Sequence, residues 1–191
     1  MVEINEFIRG LTTLPRFTSE EVYGYLRTHP VDPDSLKRFL FFSQATYTRN
    51  LIYKNDLFEL LALCWEQGQV SRIHNHRDQR CWMTVPVGRL EVQDFHVAER
   101  NTQKKTCRLE PTKRYPITIE KPAEVDADEP VHQVLNLAEF GGRAVSLHVY
   151  SKPFDSCEVY YPDKGSYADV PLYYTSEYGK LCTGELGSPV Q

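Results

Sequence analysis

The residues whose types and spacing could do chemistry together are His74 and His76, separated by Asn75. On a β-strand, positions i and i+2 project to the same face, so both imidazoles can aim at one metal ion. Taken alone, such a pair also suits two ordinary core or surface histidines, and its surroundings have to decide. Gly68 precedes His74 by five intervening residues, Cys81 follows His76 after four, and Gly88 follows Cys81 after six.

This spacing resembles the first motif of the cupins, in which two histidines one residue apart and a later glutamate project into a small β-barrel. Cys81 stands where that glutamate would be. His132, three intervening residues before Asn136, resembles the core of the second cupin motif, which supplies the remaining histidine from a distant strand. The resemblance implies His74, His76 and His132 as metal ligands; a set with His148 in place of His132 is the competing assignment. Three neutral imidazoles without a carboxylate leave a divalent ion its full charge, which favours a substrate that brings its own anion, such as a thiolate. Zinc also accepts three histidines in sites that activate water, so the ligand set leaves iron and zinc open.

The elements that must carry these residues can be read from hydrophobic periodicity. Ile4, Phe7, Ile8 and Leu11 recur at the spacing of one helix face. Thr18 to Glu21 has the form of a capping box, and Asp32-Pro33 before Leu36, Phe39 and Leu40 repeats the start signal. Three short helices are therefore predicted. From about Ala45 the chain changes to short runs rich in Val, Ile, Thr, Tyr and Phe. Turn-formers at Gln67-Gly68-Gln69, Val87-Gly88-Arg89, Pro111-Thr112-Lys113 and Phe140-Gly141-Gly142 separate them. Leu60 to Trp65 is a compact apolar run, which we read as a buried strand.

Many short strands without intervening helices predict a mainly β fold, a small cupin-type, jelly-roll-like barrel behind a short N-terminal helical segment. The expected layout is one cupin domain over 1–191. It comprises N-terminal helices in 1–43, barrel and wrapping segments in 44–183, and a frayed tail in 184–191. The stretch from Ser151 is rich in Tyr, Pro and Gly and is expected to wrap the barrel as irregular structure, and 126–129 is expected to be a solvated acidic turn.

Several motifs together resemble the cysteine dioxygenase family over about Tyr47 to Gly179. They are Tyr47-Thr48-Arg49-Asn50, Leu63-Cys64-Trp65, the run from His74 to Cys81, Val145 to Ser151, and Pro153-Phe154-Asp155-Ser156-Cys157. The resemblance implies a three-histidine Fe(II) site that adds both atoms of dioxygen to the thiol of L-cysteine, giving the sulfinic acid. It implies that Arg49 pairs with the substrate carboxylate, for which a planar guanidinium fork is suited, with Tyr47 on the same face. Cys81 and Tyr150 match a pair that animal-type members join by a thioether bond beside the iron. Ser146, His148 and Tyr150 alternate on one strand face, so a hydrogen-bonded row can orient the tyrosine hydroxyl, which makes His148 a partner of Tyr150 and not a ligand.

Two departures stand out. Lys152 occupies a place where relatives often have proline, and Tyr173 and Tyr174 fall where a smaller apolar pocket residue is expected. Dioxygenation of a related thiol acid such as 3-mercaptopropionate is the rival activity, although relatives of that kind generally lack arginine at the place of Arg49. A non-catalytic cupin that binds a small ligand is the rival of another class.

Composition narrows the partners. The 26 acidic and 22 basic residues are scattered and sum to −4, which offers no basic stripe for a phosphate backbone. Glu3, Glu6 and Arg9 interrupt any apolar leader, and no apolar run is long enough to span a membrane. The five cysteines form an odd number, which suggests free thiols in a reducing compartment. A cytoplasmic protein without nucleic-acid or membrane partners, a monomer or weak homo-oligomer, is expected.

Overall fold

A computed structural model describes residues 1–125, 128 and 130–182. The predicted tail at 184–191 lies outside the described residues, and so does the acidic turn at 126–129 apart from Asp128.

Helix α1 spans Ile4–Thr12 and buries Ile4, Phe7 and Leu11 on one face; helix α2 spans Ser19–Thr28 and buries Val22 and Leu26. Thr18 caps α2 by accepting from the Glu21 backbone N–H. The reciprocal half of the capping box is not made: the Glu21 carboxylate accepts from the Arg16 N–H at 2.8 Å instead. The third predicted helix is a 3₁₀ helix, Pro33–Phe39. Its buried residues, Leu36 and Phe39, are three apart, which a three-residue turn places on one line.

The β region begins with β1 (Thr48–Lys54), β2 (Phe58–Trp65), β3 (Ile73–His74) and β4 (Cys81–Val87). It continues with β5 (Leu90–Asn101), β6 (Thr106–Ile117), β7 (Ala123–Glu124), β8 (His132–Leu135) and β9 (Ala144–Ser151). The last strands are β10 (Ser156–Tyr161), β11 (Ser166–Pro171), β12 (Ser176–Glu177) and β13 (Lys180–Leu181). One sheet has the order β13-β12-β1-β2-β9-β4-β7, and the other six strands close on themselves as β10-β11-β6-β5-β8-β3. This is the mainly β, cupin-like architecture.

Strand β2 shows why its sequence lacks alternation. All eight of its residues are buried, because Phe58, Leu60, Ala62 and Cys64 pack under the helices while Leu61, Leu63 and Trp65 face the space between the sheets. Each leucine or phenylalanine side chain among them, taken out of water, contributes about 1.5–3 kcal/mol.

Two sequence expectations are corrected. Pro111-Thr112-Lys113 is not a turn but the middle of β6, where Pro111 pairs with Phe95 beside a register shift. Proline is tolerated there because β6 meets its other neighbour, β11, only at Thr106, which leaves most of that edge without backbone partners to lose. The reversal between β5 and β6 lies instead at Asn101–Thr106, around Lys105 with φ +53°. The stretch after Ser151 is not irregular wrapping either. It forms the β10–β11 hairpin, which buries Cys157, Val159 and Val170 on one face and Tyr160 and Tyr167 on the other.

Gly88 closes the turn between β4 and β5 with φ +74°, and a Cβ there would stand 2.6 Å from the Arg143 carbonyl oxygen. Gly68 has φ +85° but open space around it. Gly68→Ala should therefore cost about 1–2 kcal/mol from backbone conformation alone. Gly88→Ala should cost clearly more, and urea unfolding of the two variants side by side tests the ranking.

Candidate metal centre and its cavity

Strand pairing explains how residues distant in sequence converge. His74 is the register partner of His132 on β8 and of Val159 on β10, and His76 follows two residues later. The three ring centroids lie 4.6 to 5.1 Å apart, and one nitrogen from each ring falls within 4.8 Å of the others. The competing histidine, His148, sits on β9 outside this group.

The donor atoms suit a metal. Nδ1 of His74 is 2.8 Å from the Arg72 carbonyl oxygen and Nδ1 of His132 is 3.1 Å from that of Pro130. A carbonyl only accepts, so each Nδ1 carries the proton and each Nε2 keeps its lone pair. Nε2 of His132 and both ring nitrogens of His76 are buried with no hydrogen-bond partner among the described residues. A neutral imidazole keeps one lone pair, so His74, His76 and His132 offer three in all, and those of His76 and His132 are buried without a partner among the described residues. Buried polar atoms normally have one, and this arrangement fits a bound cation.

Burial, reinforced by the neighbouring imidazoles, lowers the His132 pKa to about 3 and holds His76 well below its ordinary value. Burial likewise lowers His74 to about 4. All three are neutral near pH 7, so a metal has no proton to displace. In the metal-free protein these depressed pKa values make stability complete above the unfolded value of 6.5 and lose it as pH falls toward 4 and 3. Urea midpoints should begin to drop below pH 6.5, and a midpoint that rises on acidification through this window would contradict neutral burial.

Behind the three imidazoles runs the row read from β9. Trp65 Nε1 donates to Ser146 Oγ at 3.0 Å, Ser146 Oγ lies 2.8 Å from His148 Nε2, and His148 Nδ1 lies 3.2 Å from the Tyr150 hydroxyl. An indole N–H can only donate, so the pattern that satisfies every member runs from Trp65 to Ser146 to His148 to Tyr150. That pattern leaves the phenolic hydrogen of Tyr150 free to point elsewhere. Cys81 is the register partner of Tyr150, and its Sγ lies 3.8 Å from His148 Nδ1. Burial pushes both the Tyr150 phenol and the Cys81 thiol well above their ordinary pKa values.

A cavity of about 210 Å³ opens onto this centre, lined by Tyr47, Arg49, His74, His76, Tyr150 and Cys157 among others. Arg49 projects from β1, and its Nε and Nη2 are buried without a hydrogen-bond partner among the described residues. Its backbone is tied to the chain end, accepting from Thr175 N at 2.7 Å. Tyr47, one residue before β1, stacks on Trp65 at 4.4 Å between centroids. Of the two tyrosines expected at the pocket, Tyr173 lines it at 60% exposure, whereas Tyr174 turns away and donates to Glu59 at 2.5 Å. The Ser151–Lys152 peptide is trans, and the irregularity falls on Lys152 itself, with φ +82°.

Sequence reasoning missed Glu59, the partners of Asn75 and, although it singled out the Leu63-Cys64-Trp65 motif, the hydrogen bond of Trp65 to Ser146. Glu59 is buried, and burial raises its pKa; its signal was a lone charge inside the apolar run of β2. Trp65 joins the row only because β2 pairs with β9.

The chain is similar in sequence to several known proteins. A family model described as cysteine dioxygenase type I matches residues 1–163. Cysteine dioxygenase type 1 of Danio rerio is 32% identical over 168 residues, covering 87% of this chain and 82% of that protein. The Homo sapiens protein of the same name is 30% identical over 161 residues, 84% of this chain and 78% of its own length. Among solved structures, a conserved protein with a double-stranded β-helix domain from Klebsiella pneumoniae is similar at TM-score 0.44 and 14% identity. That alignment covers 72% of this chain and 90% of the other.

Proposed function

The chain belongs to the cysteine dioxygenase type I family, and from that premise we propose that it oxidises L-cysteine with dioxygen to cysteine sulfinic acid at an Fe(II) site held by His74, His76 and His132. The observation that carries this reading is the meeting of three neutral imidazoles, two of which line the cavity, with Arg49 in the same cavity, whose Nε and Nη2 are buried without a partner among the described residues. When bound, Fe(II) supplies the spin-permissive chemistry by which a thiolate and dioxygen combine.

The protein's own groups do the rest. Arg49 takes the amino-acid carboxylate in two parallel charge-assisted hydrogen bonds, satisfying nitrogens that are otherwise unpaired and fixing which end of the substrate faces the imidazoles. Tyr150 presents its hydroxyl at the cavity, held in place by His148, Ser146 and Trp65. Phe154 packs at 5.0 Å on the Tyr150 ring and helps exclude water from the reacting sulfur. Both oxygen atoms end on one sulfur, so the balance is one thiol and one dioxygen in, one sulfinic acid out.

The pairing of Cys81 with Tyr150 across β4 and β9 supports the thioether. Forming it joins Sγ to a ring carbon beside the hydroxyl and removes two hydrogens, with dioxygen as oxidant. Aerobic incubation with Fe(II) and cysteine should yield a Cys81–Tyr150 peptide pair two hydrogens lighter than its parts, and Cys81→Ser should abolish it in peptide mass spectrometry.

Anaerobic reconstitution with Fe(II), followed by oxygen uptake with a panel of thiols, tests the function. Uptake with L-cysteine well above that with 3-mercaptopropionate or cysteamine is expected. A preference for 3-mercaptopropionate would reassign the substrate, and no uptake with any thiol would defeat the enzymatic reading.

A further inference from the structure

His76 is the least anchored of the three imidazoles. Strand β3 ends at His74, and no protein group among the described residues bonds the His76 ring nitrogens. His74 and His132, by contrast, are each fixed through Nδ1 by a backbone carbonyl. The His76 ring is thus aimed by its backbone and by the edges of Tyr150 and Phe154, at centroid distances of 5.1 and 6.0 Å. Arg77, immediately after it, has φ +54°, a conformation that a residue with a side chain keeps only where its surroundings hold it.

The His76 carbonyl accepts from the Gln79 N–H at 3.0 Å, and the side chain of Asn75 ties the backbone on both sides of the ring. Its Nδ2 donates to Glu158 Oε2 at 2.8 Å, and its Oδ1 accepts from the backbone N–H of Glu158 at 3.2 Å and of Arg77 at 3.3 Å. The Asn75 N–H donates to the Glu158 carbonyl at 3.1 Å. One buried amide therefore extends the β3–β10 pairing past the point where the strand stops, and bridges both sides of His76. The Glu158 carboxylate is itself fixed, by Arg100 Nη2 at 2.6 Å and by the Tyr160 hydroxyl at 3.0 Å. Arg100 in turn lies 4.3 Å over the Tyr167 ring.

We propose that Asn75 and Glu158 are positioning residues, a clamp that aims His76 and thereby sets the affinity and geometry of the metal centre. Neither residue lines the cavity, so the clamp acts through His76 and not on substrate. The inference rests on the three-imidazole reading, and its test separates the two.

The full chain, stripped of metal, is titrated with Co(II) in competition with a chelator, and the visible absorption band reports ligand geometry. If the unaltered chain binds no Co(II), the three-imidazole reading falls and the clamp with it. If it binds, Asn75→Ala should weaken affinity about 10–100-fold, the range seen when groups that orient a ligand are removed. The absorption band should change as well, while far-UV circular dichroism shows a folded chain. Glu158→Gln keeps its backbone bonds to Asn75 and should shift both readouts less, in the same direction; it decides the matter where Asn75→Ala does not fold. Folded variants whose affinity stays within roughly twofold of the unaltered chain, with the same band, would overturn the clamp, because a merely structural role lowers stability without touching either readout.

Discussion

Replacing His132 by alanine should abolish metal loading and oxygen uptake together, whereas replacing His148 by glutamine should leave metal content intact and slow turnover. His132 offers a buried, unpartnered, neutral Nε2 to the centre, and its loss leaves two donors where three converge. Since loss of a group that only orients a ligand costs about 10–100-fold in affinity, loss of the ligand itself should exceed that, on the order of a thousandfold. His148 has both nitrogens engaged, with Ser146 and with Tyr150, and burial holds its pKa well below the ordinary value. Its glutamine variant breaks the row behind Tyr150 without touching the donors. Iron content and oxygen uptake on the same samples discriminate the two assignments. Iron lost from His148→Gln and kept by His132→Ala would reverse them.

The second large effect concerns Arg49. Arg49→Gln should leave iron content unchanged and lower kcat/KM for L-cysteine by about a hundredfold or more, mostly through KM. Each charge-assisted hydrogen bond to a carboxylate is worth about 1.5–3 kcal/mol, and about 1.4 kcal/mol is a factor of ten. Two of them therefore account for that loss. Any residual turnover of cysteamine, which lacks the carboxylate, should be unaffected. Iron and cysteine turnover falling in proportion would refute the carboxylate role, because the defect would then lie in the centre and not in substrate capture.

The N-terminal helices were legible because burial on one face repeats every three to four residues, as Ile4, Phe7 and Leu11 do. The third segment came out as 3₁₀, since its two buried anchors are three residues apart and no longer periodicity forces an α-helix. Pro111 misled because a proline reads as a turn unless one knows that its strand has an edge without backbone partners, and edges are a property of the assembled sheet. The β10–β11 hairpin was hidden by its tyrosines and prolines, whose strand character depends on what they pack against.

The sequence by itself determined which residues are candidates for the chemistry: a His-x-His pair, a distant histidine, an arginine, and a Ser, His, Tyr alternation. Local rules suffice for these, because the two-residue strand period decides which side chains share a face. Only the tertiary structure decided which faces meet. The register of β3 against β8 and β10 brings His132 to His74 and Glu158 to Asn75, and β2 against β9 brings Trp65 to Ser146. Such pairings join positions tens of residues apart, and they are selected by burial and hydrogen-bond satisfaction over the whole barrel, which no local stretch of chain encodes.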